Sequence, residues 1–199
     1  MAVLHNEMRY QEDQYYISRV LAGDRNAFAG LVNKHKTFVF SIVFRILQNR
    51  EDAEEISQDV FVKVFQTLPT FQGKSKFSTW LYRIAYNAAI SRSRKKHFDT
   101  ISMDDVRPDL QPSEEMILSV MTKDVPEQTE LLKFVVASLP EDDQLLITLF
   151  YQMDNSIEDI AEITGLSESN TKVRLHGIRK KLYVEMQALM EKETKIVLS

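Results

Sequence analysis

The sequence predicts an all-α protein: two small helical domains joined by an acidic linker, the C-terminal one containing a helix-turn-helix. Three observations carry that prediction. Glycine and proline are scarce, five of each, so helices are seldom interrupted. Apolar residues recur at helical spacing nearly throughout, and no alternating strand pattern is found. Residues 98–126 hold Pro108, Pro112 and Pro126 among many acids with no sustained period, which marks a linker. The domains on either side are expected over 10–97 and 127–190, with the tail beyond Met190 fraying.

A first helix is expected from about Gln11 to Leu21, stopped by Gly23. A second, from about Asn26 to Gln48, has Phe28, Leu31, Val32, Phe38, Ile42 and Ile46 as its inward residues. The third runs from Arg50 to about Leu68 and opens with Glu51, Asp52, Glu54 and Glu55, acids that a helix N-terminus favours. Ile56, Val60, Val64, Phe61 and Phe65 lie on its other side. Residues Pro69 to Ser78, with Gly73, read as a loop into a fourth helix that starts near Thr79. On that helix Leu81, Ile84, Ala85, Ala88 and Ala89 share an inward arc. Thr79, Arg83, Asn87 and Arg94 share the outward one, with Trp80, Tyr82 and Tyr86 on the borders.

Beyond the linker, Pro140 suits the first turn of a helix that runs through Leu145 to Tyr151. The helix-turn-helix follows. Ser156 caps its first helix with Asp159 three residues on, and Ile157, Ile160 and Ala161 line one face. Gly165 supplies the turn, and Ser167 opens a second helix with a buried stripe of Thr171, Leu175, Ile178 and Leu182. The opposite face carries Lys172, Val173, His176 and Lys180, flanked by Arg174, Arg179 and Lys181. Such a helix can enter a major groove with cations reaching phosphates. A helical hairpin with a solvated basic face is the plainer alternative.

Charge narrows the function. The net charge is −4, which argues against an indiscriminate nucleic-acid binder. Yet residues 73–97 hold Lys74, Lys76, Arg83, Arg92, Arg94, Lys95 and Lys96 with no acid, and a second basic cluster lies between Leu166 and Leu182. Two basic surfaces separated by an acidic stretch suggest DNA contact at two places and protein contact elsewhere. Around the first cluster, aromatic rings interleave with cations, the combination that holds unpaired bases and their phosphates. The preceding loop, from Phe71 to Ser78, adds Lys74, Lys76 and flexible backbone donors. Aromatics at helical spacing also serve as ordinary core.

Other classes are excluded. The four histidines, His5, His35, His97 and His176, have no metal-ligand spacing, no nucleophile sits beside a base, and no glycine-rich phosphate loop is present. Hence no catalytic activity, metal, cofactor or small-molecule substrate is expected. The chain has no cysteine, and its N-terminus lacks the apolar run of a signal peptide, so a cytoplasmic protein is expected. Two other classes fit part of the pattern: a dimeric operator-binding regulator, which leaves residues 77–96 without a role, and an interaction protein with no DNA role.

The order of segments resembles the extracytoplasmic-function (ECF) group of bacterial sigma factors over nearly the whole chain. GDRNAF at Gly23 to Phe28 resembles the entry to the family's first conserved region, and DAEEISQDVFVKVF, Asp52 to Phe65, the segment that grips RNA polymerase. FSTWLYRIAYNAAISRSRKK, Phe77 to Lys96, resembles the region that melts and reads the −10 promoter element. LPEDDQLLITLFY with the helix-turn-helix resembles the −35-reading domain.

The resemblance implies a sigma factor that directs polymerase core to specific promoters. Asp52, Glu55, Gln58, Asp59 and Phe61 would meet polymerase. Phe71, Lys74 and Lys76 of the loop, with Trp80, Arg83, Asn87 and Arg94 of the fourth helix, would hold the −10 strand, a flipped base included. Lys172, Arg174, His176, Arg179 and Lys180 would lie at the −35 duplex. It also implies an anti-sigma protein, often membrane-bound, that holds the factor inactive. Two departures are noted: Ser91 where family members frequently have Asp, and Gly177 where a large basic residue is common. Glycine inside a helix costs about 0.5–1 kcal/mol against alanine, which predicts a less ordered far end of that helix.

Overall fold

The computed structural model describes residues 2–97, 132 and 135–197. Among these residues every regular element is helical. The expected linker lies outside the described residues.

Local chemistry sets the breaks between helices. Helix α1 (Ala2–Leu21) begins nine residues before the expected start, because Ala, Leu, Met and Glu in that stretch are good helix formers. After it, the Asp24 carboxylate accepts from the amides of Asn26 and Ala27, at 3.1 and 3.3 Å, and caps a 3₁₀ turn over Arg25–Ala27. Helix α2 (Phe28–Leu47) ends at Gln48, which turns left-handed with φ 49°. The Asn49 side chain then accepts from the Asp52 amide at 2.9 Å and starts α3 (Arg50–Thr67). Helix α4 (Phe77–His97) follows a 3₁₀ turn over Leu68–Thr70 and a short loop, and begins two residues before the expected start.

Helix α2 packs against α3 and α4 and centres the N-terminal core. Leu31, Val39, Ile42 and Val43 of α2 meet Val60 and Val64 of α3 and Leu81, Ala85 and Ala89 of α4. The buried stripe of α2 includes His35 and Val39, while Phe28, Val32, Phe38 and Ile46, expected inside, are half-buried. A polar tie makes the difference. His35 Nε2 lies 3.0 Å from Asp13 Oδ1 of α1 and its Nδ1 3.3 Å from the Tyr82 hydroxyl of α4, all three being buried. Lys34 Nζ reaches the same Asp13 oxygen at 2.8 Å. Close by, the Tyr16 ring lies against Gly30, where any side chain would collide with it.

In the C-terminal part, residues 135–138 form a helical turn and α5 spans Glu141–Ile147. Pro140 stands at the N-cap of α5, one residue before the position expected for it. A π-helical turn, Thr148–Gln152, leads to α6 (Ile157–Thr164) and α7 (Glu168–Val197). Ser156 and Asp159 form the reciprocal capping box, and Gly165 closes α6 at φ 76°. The predicted stripe of α7 is fully buried: Thr171 0%, Leu175 1%, Ile178 2% and Leu182 0% exposed. Helix α7 passes through Gly177 without a break and continues to Val197, beyond the expected end near Met190. Residues such as Met190, Glu191 and Lys192 favour helix and carry it on.

The two helical domains touch. Helix α6 lies against α4 and α5 against α2, with Arg45 Nη1 donating to Gln144 Oε1 at 2.9 Å.

Candidate nucleic-acid interface

Helix α7 presents its outward face as the sequence implies. Lys172, Val173 and His176 are exposed and Lys180 is half-buried. Val173, at 67% exposure, is the most exposed of the large apolar side chains described. Glu168 pairs with Lys172 at 4.0 Å across one turn, a contact of two exposed groups that water largely screens. Arg174 and Arg179 are instead held by the protein. Arg174 Nη2 donates to Asp143 Oδ1 at 2.9 Å, and Lys181 Nζ lies 3.5 Å from the other oxygen of the same carboxylate. Asp143, buried at 7% exposure in the first turn of α5, thus anchors α7 from behind. Arg179 Nε donates to the Tyr151 hydroxyl at 2.9 Å, and its guanidinium lies 5.1 Å from the Phe150 ring centre.

The second basic surface is the 71–78 loop with α4. Phe71, Phe77 and Trp80 form one aromatic cluster: the rings of Phe71 and Trp80 lie 5.3 Å apart, and Phe77 stands 5.8 and 5.9 Å from the two. Phe77 is buried, and Phe71 and Trp80 are half-buried. Lys74, Arg83, Asn87 and Arg94 are exposed. Thr79, expected on the outward arc with them, is 0% exposed. The cause is α6, which covers it: Thr79 Oγ1 donates to Asp159 Oδ1 at 2.8 Å.

Asp159 is the electrostatic centre of that contact. Its other oxygen accepts from Lys76 Nζ at 2.8 Å, from the Ser156 hydroxyl at 2.8 Å and from the Ser156 amide at 3.1 Å. Burial pushes the carboxyl up, but the hydrogen bonds from Lys76, Thr79 and Ser156 together hold it below the usual carboxylate value. Alongside, Ser75 Oγ donates to Glu162 Oε1 at 3.2 Å, and Arg83 Nη1 lies 3.9 Å from that oxygen. Burial raises the Tyr86 phenol between the domains, with nearby Asp142 adding to the shift.

On α3, Glu55, Gln58 and Asp59 are exposed and Phe61 is half-buried. Asp52 differs. Arg92 of α4 donates to Asp52 Oδ1 at 2.7 Å and lies 3.5 Å from Glu55, so the first acid is largely turned inward. Val62 and Phe65 add exposed apolar area to the same helix.

Sequence reasoning missed Asp143 and Glu162, and read Asp159 only as a cap. Their partners lie 31 to 87 residues away, beyond the reach of any spacing rule. Among the described residues no cluster of His, Cys, Asp or Glu could hold a metal ion, and no helix is long and apolar enough to cross a membrane.

A capped helix-turn-helix with an outward cationic face, plus a second basic helix bordered by aromatics, gives the chain the make-up of a DNA-binding protein of the helix-turn-helix class. Comparison with known proteins specifies it. Sigma-70 region 2 matches residues 31–98, and Sigma-70, region 4 matches residues 129–182. The chain is 31% identical over 186 residues to the ECF RNA polymerase sigma factor SigW of Bacillus subtilis, covering 87% of this chain and 96% of that protein. It is 31% identical over 189 residues to the ECF sigma-E factor of Haemophilus influenzae, covering 89% and 97%. The fold is similar to that of CnrH in complex with the cytosolic domain of CnrY, with a TM-score of 0.60 at 20% identity over 89% of this chain and 98% of that one. It is also similar to RpoE in complex with the anti-sigma factor NepR from Bartonella quintana, with a TM-score of 0.58 at 21% identity over 80% and 96%. The chain belongs to the ECF sigma factors, which direct RNA polymerase core to specific promoters.

Proposed function

We propose a division of labour within this sigma factor: residues 10–97 bind polymerase and melt the −10 element, 98–126 form the linker, and 127–190 read the −35 element. The observation that carries it is the outward face of α7, where Lys172, Val173 and His176 stand exposed on a capped helix-turn-helix. Lys180 extends that surface, and Arg174 and Arg179 border it from positions fixed by Asp143 and Tyr151. The −10 strand is assigned to Phe71, Lys74, Lys76, Trp80, Arg83, Asn87 and Arg94, which combine ring faces with cations. Polymerase is assigned to Glu55, Gln58, Asp59 and Phe61 on α3, with Asp52 at the edge through its pair with Arg92.

The protein itself has no catalytic role in this reading and works in the cytoplasm, where polymerase is. Family membership supports an anti-sigma protein as a further partner.

Transcription from genomic promoter fragments with polymerase core tests the assignment. Core-dependent, sequence-selective starts are expected. Duplex footprints without core, and no starts, would instead indicate an operator-binding regulator. Asp59→Ala is expected to weaken core binding severalfold, and unaltered capture of core by that variant would remove α3 from the polymerase surface.

A further inference from the structure

We infer that α7 reads duplex DNA through an uncharged pair, Val173 and Gly177, with Val173 set against the C5-methyl group of a thymine and Gly177 letting the helix backbone come close. The inference deepens the proposed assignment of α7 to the −35 duplex and rests on it. Val173 and Gly177 stand one turn apart on one face of the helix, opposite the buried stripe of Thr171, Leu175, Ile178 and Leu182. Basic side chains flank them. Lys172, His176 and Arg179 run along one side of the pair, Arg174 and Lys181 along the other, and Lys180 stands seven residues beyond Val173. Base edges form the floor of a groove and phosphates its walls, so a neutral centre between two basic rows fits the major groove.

Neither residue is explained by the fold of the chain itself. Val173 is two-thirds exposed, so its methyl groups add little to the core. The thymine methyl is the apolar group that base edges offer in the major groove, and it is what a valine at the centre of such a face can match. Gly177 is the complementary case. Its backbone is not left-handed, and a Cβ built on it meets nothing within 4 Å outside its own turn of helix, so neither conformation nor packing calls for glycine there. Glycine inside a helix is disfavoured against alanine. A missing side chain next to Val173 instead lets the helix axis lie nearer the groove floor, which is the approach that a short valine side chain needs to touch a base.

The test uses the full chain, alone and bound to polymerase core, to enrich duplexes from a random-sequence pool. An enriched site that contains thymine is expected. Each thymine of that site is then replaced singly by deoxyuridine, which removes only the C5-methyl group. One such replacement should lower affinity about fourfold, the worth of one buried methyl group, and Val173→Ala should abolish that difference. Gly177→Ala should raise the melting temperature, because alanine favours helix and has room here, yet bind the enriched duplex severalfold more weakly. A residue with a purely structural role would not separate those two readings.

Deoxyuridine tolerated at every position, or a penalty that persists in Val173→Ala, would overturn the methyl contact. Unaltered duplex affinity in Gly177→Ala would overturn the close approach. An enriched site without thymine, or no enrichment with or without core, would overturn base reading by this pair. Core-dependent transcription is scored separately: a methyl-sensitive site found by the free chain, with no starts, would keep the contact and remove the −35 assignment.

Discussion

The two surfaces proposed to meet DNA in this sigma factor are built on opposite plans. Helix α7 is braced from behind: Asp143 and Tyr151 take Arg174 and Arg179, and Lys172 and His176 stand on its exposed face. The α4 surface is engaged from the front, with Lys76, Thr79 and Ser75 bonded to the acids of α6. On the proposed assignment α7 meets a rigid duplex, which suits a face fixed by structural support. On the same assignment α4 meets unpaired DNA, and here its Ser75, Lys76 and Thr79 donors are satisfied by the acids of α6.

Four substitutions and a change of pH would break or sharpen that contrast. The largest effect is expected for Leu175→Ala, which empties a site 1% exposed at the heart of the helix-turn-helix. It should cost about 2–5 kcal/mol and abolish duplex binding, as thermal unfolding and a mobility shift would report. Next comes Asp143→Asn. Removing the charge that holds Arg174 and Lys181 should lower stability by about 1–3 kcal/mol. An unchanged melting temperature would show that α7 needs no brace.

Lys172→Ala, at an exposed position, should leave stability unaltered and reduce the salt dependence of duplex binding by about one unit of slope. Lys74→Ala should do the same for single-stranded DNA only. A loss shared by both ligands in either variant would merge the two surfaces into one.

The smallest expected effect is that of acid. Asp159 is held below its ordinary pKa, so its share of the α4–α6 contact is fully present above about pH 4 and is lost as pH falls through the depressed value. Lys76, Glu162 and Arg83 are the other charged groups at that edge. The stability that this contact contributes should hold steady from pH 8 to about pH 5 and decline only in stronger acid, as thermal unfolding of Asp159→Asn against the unaltered chain at each pH would report. A decline near neutrality would point to a group other than this carboxylate.

Most of the helix-turn-helix was legible because its determinants are local. The Ser156–Asp159 box, the glycine turn and the four-residue stripe of α7 all lie within one short run of sequence. The burial of Thr79 was not, because on α4 alone it sits among Arg83 and Asn87 and reads as outward; the helix that covers it comes 80 residues later. His35 escaped for another reason. A polar residue does not register in an apolar pattern, yet it completes the α2 stripe once Asp13 and Tyr82 supply its hydrogen bonds. Trp80 and Phe71 lay between these cases: the sequence offered two aromatic residues near a basic helix, and the structure joins them, half-buried, to Phe77.

The seating of α1 follows from two small contacts made by that helix. Asp13 meets His35, and Tyr16 lies on Gly30, three residues apart on α1 and five apart on α2. If α1 slid along its neighbour by one turn, about 5.4 Å, the carboxylate would leave a buried imidazole behind, and the ring would meet a position that carries a side chain. Neither loss can be made good by the other contact. Helix α1 therefore has a single register on α2, set by one glycine and one charge, although much of its length is polar enough to rest against many surfaces.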